Sequence, residues 1–573
     1  MKLRYFKLLL LFTGIVAISS CKKTFDINND PDRLPATNDP IPQLLTSAQV
    51  NLGFEGGSDL FRYATLIMQQ MTGEASSANQ TFFYYQYNIT GSDQNNVWSS
   101  IFATTLSDLE FIIQRGGASP YYTGIAKILK AYEYSLVVDV WGKVPYTETQ
   151  QLTANTQPHY DDDAVIYTKL LQLLTDGITD LNAASSLLTP GANSVIYTGT
   201  YATIKANWIK LANTLKLRLL LHYSKKDPVF CVAQITALVN TPGITFFASN
   251  TDNFSMAFYD VANQRSPISA FEVSRPNYLF CDSRMLGLMS GKGDPRRPYY
   301  FTSFPYTGLS LPITVITSAA TAAGGNVLQI NSTTGPAIGM VVAGTNIPPN
   351  TTATAVSATT ITLSNLVTGG GVGGGASIVV APNTFTGVSA AAPPPAPNNN
   401  YSRIHTFLRG AVNPSGPAAP PFVYSGAAPQ RMLTFAEYNF IRAEAALRGA
   451  TPGPGGAQAF FTAGITASMQ EVGVSAIQIA DYLANNGTLT GVFATDLQKI
   501  IEEKYIALFG VSVEPWTDWR RTGYPTLSIP TNAINTVTAV PRTLFYPQSE
   551  IDLNPNNPGQ KAPGLQNSVF WDN

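Results

Sequence analysis

Charged residues are scarce in this chain of 573 residues, at 12% of the total, which is about half the share usual in globular proteins. Hydrophobic residues make up 45% and aromatic residues 11%, so many Tyr and Phe side chains must lie at or near the surface. The formal net charge is -1, and the chain has no basic run. A nucleic-acid-binding protein needs a basic surface, so nucleic acid is excluded as a partner.

Cysteine and histidine are also rare, with three of each. Three cysteines do not make a disulfide framework, and we expect Cys231 and Cys281 to be two buried free thiols, although they could pair in an oxidising compartment. The histidines are widely separated in the chain: His159, His222 and His405. Because they lack the spacing of metal ligands, we expect no metal site and no cofactor.

The N-terminus has a basic segment (Met1–Lys7), an apolar segment (Leu8–Ile18), two serines and then Cys21. The apolar segment is shorter than the roughly 20 residues that span a bilayer, so we interpret residues 1–20 as a cleaved export signal. The cysteine resembles the acylated residue of a bacterial lipobox, which predicts lipidation of Cys21. The alternative is an ordinary secretory signal with a chance cysteine. Residues 21–42, rich in Asn, Asp and Pro, are predicted to be a tether.

Helical periodicity occupies two parts of the chain, residues 43–310 and 396–573. In Lys127–Trp141 apolar residues recur at steps of three and four, and Gly142 follows where a helix would end. Leu497–Phe509 has the same pattern and precedes Gly510. Such single-faced stripes predict helix pairs that bury their apolar faces against one another.

The segment between them, residues 311–395, is rich in Thr, Ala, Gly and Val and almost uncharged. Its β-branched runs predict short strands: Val327–Ile330, Gly339–Ala343, Thr359–Leu363 and Ala376–Val380. The segment ends in a stiff proline-rich linker. We expect a small β-rich insertion, the alternative being a disordered low-complexity loop.

Motifs for catalysis are missing: the sequence has no G-x-S-x-G elbow, H-E-x-x-H helix or P-loop lysine. Asp161–Asp163 is expected to start a helix, where negative charge complements the dipole. Glu437 and Glu444 lie on one predicted helix face with Arg442 nearby, and structural ion pairs are the expected role for both.

Two aromatic clusters are candidates for ligand contact. Their members are Phe82, Tyr84, Tyr85, Tyr87 and Trp98 in the first, and Tyr299 and Tyr300 in the second. Aromatic rings offer flat apolar faces, and Tyr and Trp add a polar edge, which suits the C–H faces and hydroxyl rims of sugars. The alternative role is core packing. The low overall charge favours a neutral ligand.

The C-terminal half carries most of a set of blocks that resemble the SusD/RagB family of outer-membrane lipoproteins of Bacteroidota, and one further block lies upstream. The blocks occur in order along the chain: Val138–Tyr146, Met432–Gly449, Glu502–Phe509, Glu514–Pro525, Pro541–Glu550 and Trp571–Asp572. The resemblance implies a mainly α fold with tetratricopeptide-like helix pairs and irregular loops. The insertion at 311–395 departs from the family pattern. The resemblance also implies structural roles for Trp516, Trp519, Arg520 and Arg521.

The function that the resemblance implies is nutrient binding without catalysis. The chain would be lipid-anchored at the outer membrane, on its outer face, and would deliver an oligosaccharide or another nutrient to a SusC-like TonB-dependent transporter. Two alternatives are a surface glycan hydrolase, which would need two facing carboxylates, and an adhesion protein acting through the β-rich insertion.

Overall fold

The computed structural model describes residues 40–73, 79–151, 154–276, 278–332, 334–388, 401–534 and 537–573. The predicted signal peptide, the lipidation residue Cys21 and the tether as far as residue 39 lie outside the described residues. The predicted proline-rich linker, which begins at Ala390, lies outside them as well.

Helices form most of the first part of the chain. They are α1 (Ile41–Gly57), α2 (Asp59–Ile67), α3 (Gln80–Tyr85), α4 (Gly91–Ser100), a π-helical turn (Ile101–Thr105), α5 (Leu106–Arg115), α6 (Pro120–Trp141), α7 (Asp163–Leu181), α8 (Tyr201–His222), α9 (Pro228–Val239), α10 (Pro267–Ser274), α11 (Ser283–Gly291) and α12 (Arg297–Tyr300). The side chain of Asp162 caps α7 by accepting a hydrogen bond from the Ala164 amide at 3.2 Å. The prediction that the aspartate run starts a helix is confirmed.

Helices return after the insertion. They are α13 (Thr406–Arg409), α14 (Phe435–Leu447), α15 (Ala457–Val472), α16 (Ala476–Asn486), α17 (Phe493–Ala507), α18 (Glu514–Thr522) and α19 (Gln548–Leu553). Neighbouring helices pack as pairs, above all α6 with α7 and α14 with α15. The predicted mainly helical fold with helix pairs is confirmed.

Short antiparallel strands join distant parts of the helical body. Strand β1 (Met71–Gly73) pairs with β3 (Leu279–Cys281), with Met71 opposite Cys281. Strand β2 (Phe254–Met256) pairs with β10 (Gln430–Leu433). These pairings hold the loops around residues 254–304 and 401–430 against the helices. Cys231 and Cys281 are buried free thiols, as expected.

The predicted β-rich insertion is confirmed, and it consists of two three-stranded sheets. Their strands are β4 (Ile313–Ile316), β5 (Val327–Gln329), β6 (Val341–Ala343), β7 (Ala353–Val356), β8 (Thr360–Leu363) and β9 (Ser377–Ala381). The strand orders are β4-β9-β6 and β5-β8-β7. The insertion has its own hydrophobic core, which includes Leu328, Ile361 and Ile378.

The C-terminal signature residues are structural, as the resemblance implies. The Trp516 indole donates to the Pro541 carbonyl at 2.8 Å, and the Arg520 guanidinium donates to the Asp139 carbonyl at 2.6 Å. Arg521 forms an ion pair with Glu444 at 2.9 Å. These buried bonds connect segments that are far apart in sequence.

Glu437 forms a structural ion pair, as expected, but its partner is remote in sequence. The Arg218 guanidinium lies 2.6 Å from the Glu437 carboxylate. Arg442, which is near it in sequence, donates instead to the Tyr438 hydroxyl at 3.2 Å. Helix α8 brings Arg218 to Glu437, so tertiary packing rather than helix spacing sets this pair.

Candidate functional site

Five of the seven aromatic residues proposed from the sequence as ligand contacts lie in the protein core. At most 5% of each side chain is exposed: Tyr84, Tyr85, Tyr87, Trp98 and Tyr300. A sugar cannot stack on a ring that other side chains already cover. For these five residues the predicted ligand contact is therefore replaced by core packing.

The packing partners of two of these rings show how they are covered. The Trp98 ring stacks with Phe102 and lies near Tyr160, at centroid distances of 4.3 and 6.4 Å. Trp98 lines a surface cavity of about 350 Å³, but only 5% of the residue is exposed. Tyr300 stacks on Phe407 at 4.7 Å.

The two remaining residues, Phe82 and Tyr299, are half-buried. The Tyr299 hydroxyl donates to the Gly473 carbonyl at 3.1 Å. Neither residue lines the cavity described next, so the structure does not bring the two predicted clusters together there.

A cavity of about 310 Å³ combines charged and aromatic side chains on the surface of the helical body. We call it the arginine–aromatic cavity. Its charged residues are Arg265, Glu272, Arg403 and Arg409, and its aromatic residues are Phe304, Tyr401, Phe422 and Tyr424. The volume is at the lower end of the range for small-molecule sites.

Local backbone pairing positions these residues. Glu272 lies on α10 and Arg409 is the last residue of α13. The Thr302 amide donates to the Arg403 carbonyl at 2.9 Å. This bond holds the chain segment around Arg403 beside the loop that carries Phe304. An isolated bridge between Val412 and Tyr424 closes the loop on the other side.

The electrostatics of the cavity depend on one buried carboxylate. Glu272 Oε2 lies 3.9 Å from Arg409 Nη1, at the limit of an ion pair. Burial raises the pKa of Glu272, and the positive charges of Arg409 and Arg403 oppose that rise. Arg265 forms an ion pair with Asp260 at 2.8 Å.

Two polar atoms of the cavity residues have no protein partner among the described residues. They are Glu272 Oε1 and Arg409 Nε, and both atoms are buried. Buried polar atoms are nearly always hydrogen-bonded, because an unsatisfied group loses its hydration without compensation. Both atoms lie beneath the cavity surface, where solvent does not reach them, so their hydrogen bonding is incomplete within the described residues.

The aromatic residues of the cavity differ in exposure. Phe422 and Tyr424 are buried, whereas Phe304 and Tyr401 are half-buried and keep part of their rings accessible. The Tyr424 hydroxyl is 2.7 Å from His405 Nδ1, and burial lowers the pKa of His405 to about 3. His405 is therefore neutral at physiological pH and supports the aromatic wall.

The cavity is equipped for binding through rings, guanidinium donors and one carboxylate. Among the described residues, no cluster of potential metal ligands is found. Sequence reasoning missed these residues because they come from four separate segments. One sequence signal could have indicated part of the cavity. Just after the proline-rich linker, every second residue has an aromatic, guanidinium or imidazole side chain: Tyr401, Arg403 and His405. In an extended segment such residues lie on the same face.

The family model that matches this chain carries the description "Starch-binding associating with outer membrane" and the name SusD-like_2, and it covers residues 32–333 and 401–547. The chain belongs to this SusD-like family. The match omits residues 334–400, which include most of the β-rich insertion. No curated protein matches the sequence significantly.

Solved SusD-like structures share the fold. A chitin-binding SusD homolog from Flavobacterium johnsoniae has 19% identity and a TM-score of 0.66, covering 93% of this chain and 98% of its own. A SusD homolog from Bacteroides fragilis has 20% identity and a TM-score of 0.62, covering 90% and 94%. A SusD/RagB family protein from Bacteroides thetaiotaomicron has 17% identity and a TM-score of 0.62, covering 93% and 98%.

The family description associates this SusD-like chain with the outer membrane. Within the described residues, no helix is both long enough and apolar enough to cross a bilayer.

Proposed function

We propose that this SusD-like protein is a lipid-anchored nutrient-binding subunit that captures an oligosaccharide in the arginine–aromatic cavity. The observation that carries the proposal is the cavity itself, with its half-buried rings beside the charged side chains of Glu272 and Arg409. Sugars complement both the rings and the polar groups of the cavity. Their C–H faces stack on aromatic rings, and their hydroxyls donate and accept hydrogen bonds.

Two further observations support a glycan ligand. The family description names starch binding, and two structural neighbours are described as chitin-binding. We propose Phe304 and Tyr401 as ligand contacts, because their rings remain partly accessible. Phe82 and Tyr299 stay secondary candidates on the same criterion.

Delivery to a SusC-like TonB-dependent transporter is the second part of the proposal. An acyl group on Cys21 and the polar segment to residue 42 would keep the protein at the outer face while allowing hinged movement over the transporter. The family's association with the outer membrane supports this arrangement. Co-purification with a transporter, lost or weakened in a Cys21→Ala variant, is the expected result.

Binding rather than turnover is proposed because Glu272 is the one carboxylate among the described residues that line the cavity. Glycoside hydrolysis uses two carboxylates on either side of the scissile bond. Incubation with oligosaccharides should leave them intact, as chromatography of the mixture would show. Cleavage that disappears in a Glu272→Gln variant would favour the hydrolase alternative.

Isothermal titration calorimetry with a panel of oligosaccharides tests ligand capture. Tyr401→Ala should weaken binding by about tenfold, since loss of one stacking ring costs about 1 to 1.5 kcal/mol. The matched control is Tyr259→Ala, because Tyr259 is exposed and lies outside the cavity. Equal affinity of both variants would contradict the proposed site, and failure of every ligand would contradict the function.

A further inference from the structure

We infer that a second cavity of this chain binds a neutral sugar, independently of the arginine–aromatic cavity. It is the surface cavity of about 350 Å³ that Trp98 lines, and we call it the Phe102 cavity. Its lining combines the half-buried Phe102 ring with amide and hydroxyl side chains and one carboxylate, Glu550. Its volume lies in the range of small-molecule sites. The inference goes beyond the proposed function, because it adds a separate binding site.

The π-helical turn Ile101–Thr105 carries Phe102, and hydrogen bonds to the protein interior fix this turn at both ends. Ser100 Oγ and Thr105 Oγ1 donate to the buried Glu55 carboxyl group at 2.6 and 2.9 Å. Helical turns of this kind are rare, and they occur frequently at functional sites. The ring is therefore presented to the cavity by a fixed element with an unusual backbone.

A second unusual backbone conformation lies beside this turn. Gln150 has a φ of 61°, in the left-handed region that residues other than glycine seldom occupy. Its side-chain amide donates to the Phe102 carbonyl at 2.6 Å. Unfavourable conformations persist only where the surrounding structure fixes them, and they cluster at ligand sites. Two such features from distant parts of the chain therefore meet at one cavity.

Side chains outside the cavity fix the wall that carries the carboxylate. The Tyr160 hydroxyl donates to Glu550 Oε2 at 2.9 Å. The Asn554 side-chain amide donates to the Pro158 carbonyl at 3.0 Å, which holds the loop of the opposite wall against the end of α19. Glu550 is half-buried, so part of it stays accessible. Because the wall is ordered in advance, binding a ligand there costs less conformational entropy.

The charge of the lining indicates a neutral ligand rich in hydroxyl groups. Among the described residues that line the Phe102 cavity, no side chain is cationic and one is a carboxylate, which would repel an acidic ligand. A sugar hydroxyl can donate to that carboxylate in a charge-assisted hydrogen bond. Other hydroxyls can pair with the side chains of Thr149, Gln150 and Thr156, which also line the cavity. A C–H face of the sugar can stack on Phe102.

Calorimetric titration of the full chain with short malto- and chito-oligosaccharides tests the inference. The double variant Phe304→Ala/Tyr401→Ala removes both accessible rings of the arginine–aromatic cavity and isolates the second site. We expect the parent protein to show two binding events per chain and the double variant to keep one of them.

Two changes, each added to the double variant, assign the remaining event to the Phe102 cavity. Phe102→Leu keeps an apolar side chain but removes the flat ring, so affinity should fall about three- to tenfold. Glu550→Gln keeps the shape but removes the charge, so affinity should fall about fivefold. Unchanged unfolding midpoints would confirm that each variant folds.

Each change has a matched control outside the cavity. Phe111→Leu alters a half-buried ring on α5, and Asp552→Asn alters an exposed carboxylate on α19. Neither control contacts the proposed ligand, so the affinity of the remaining event should change less than about twofold.

Four results would overturn the inference. If the double variant binds no neutral oligosaccharide while the parent protein does, the second site is absent and the proposed function stands. If Phe102→Leu or Glu550→Gln changes affinity no more than its control, the remaining event takes place elsewhere. If oligolysine binds as tightly as the sugars and depends on Glu550, the ligand class is a basic peptide. If no oligosaccharide binds the parent protein, both the inference and the proposed function fail.

Discussion

At the scale of single residues, buried charged side chains form a connected network in the helical body. Arg218 pairs with Glu437 at 2.6 Å, and Lys504 lies 2.9 Å from Glu514 and 2.8 Å from Asp518. Although burial opposes it, Lys504 contributes to holding the pKa of Glu514 well below its usual range. Each charge in this network is tolerated in the interior because it has a partner.

Removal of one partner should therefore be strongly destabilising. Glu437→Ala leaves Arg218 buried without its closest carboxylate, and we expect a loss of about 3 to 5 kcal/mol in the free energy of unfolding. Urea denaturation measures it. The control is Lys143→Ala, which breaks the exposed pair with Asp162, whose side chains are 54% and 51% exposed. That loss should stay below about 1 kcal/mol, and equal losses would contradict the role assigned to burial.

A second residue-scale prediction concerns the buried Glu55 carboxyl. Burial raises the pKa of Glu55 to about 7, although Ser100 and Thr105 donate hydrogen bonds to it. The folded protein keeps this proton at a pH where the unfolded chain, with a pKa near 4.5, has released it. Stability should therefore fall as pH rises from about 4.5 to about 7.

Glu55→Gln removes this titration and preserves an oxygen that accepts both hydrogen bonds. The variant should show a shallower decline in stability between those pH values. At pH 8 it should exceed the parent protein by up to about 3 kcal/mol. Denaturant titrations at a series of pH values measure both effects, and parallel curves for the two proteins would disprove the prediction.

Sequence spacing predicted that Glu437 and Glu444 form ion pairs but not which residues are their partners. Both glutamates lie on one face of α14, as the periodicity indicates. Their partners, Arg218 and Arg521, come from α8 and α18. Periodicity reports the face of a helix, whereas the neighbour on that face depends on how distant helices pack.

At the scale of elements, helices α6 and α7 approach each other closely at two glycines, Gly124 and Gly177. A Cβ added at Gly177 on α7 would lie 2.9 Å from the Gly124 carbonyl oxygen and 3.0 Å from an Ile128 side-chain carbon on α6. The backbone oxygen cannot move aside without shifting the helix. The two helices can therefore approach closely only while both positions lack a side chain.

Gly177→Ala should destabilise the protein by about 1 to 2 kcal/mol, since overpacking exceeds the gain in helix propensity. Gly287→Ala on α11 is the matched control, because an added Cβ there meets no atom within 4 Å. That control should gain about 0.5 to 1 kcal/mol. Thermal or urea unfolding measures both, and stabilisation by Gly177→Ala would contradict the close helix approach.

Short strands were more predictable from sequence than the aromatic run near residue 82. The strands of the insertion follow local β-branched patterns: β5, β6 and β8 lie within the predicted runs, and β9 extends one residue beyond its run. Burial of Tyr84, Tyr85 and Tyr87 depends instead on helices and loops that pack over α3. No local pattern distinguishes a ring that faces solvent from one that is covered.

The whole molecule combines two hydrophobic cores, one in the helical body and one in the insertion. Leu328→Ala should open the insertion core, where this side chain is 0% exposed, at a cost of about 2 to 5 kcal/mol. Hydrogen exchange should increase in the insertion sheets and stay unchanged in the body helices. The control is Val327→Ala on the same strand, 39% exposed, with a cost below about 1 kcal/mol.

Oligosaccharide binding should be unaffected by Leu328→Ala, because the cavity residues belong to the helical body. If Leu328→Ala abolishes binding while the helical body stays folded, the insertion contributes to capture. If binding persists while attachment to surfaces is lost, the adhesion alternative for the insertion is favoured.

The sequence by itself predicted the helix stripes, the β-rich insertion, the N-terminal export signal and the SusD-like family, because each prediction depends on patterns of residues close together in the chain. Only the tertiary structure decided the candidate site. Glu272, Phe304, Tyr401 and Phe422 come from four separate segments of the chain, and they meet because α10, α13 and their loops pack together. Whether a ring is covered and whether a buried atom has a partner are properties of that packing, which local patterns do not encode.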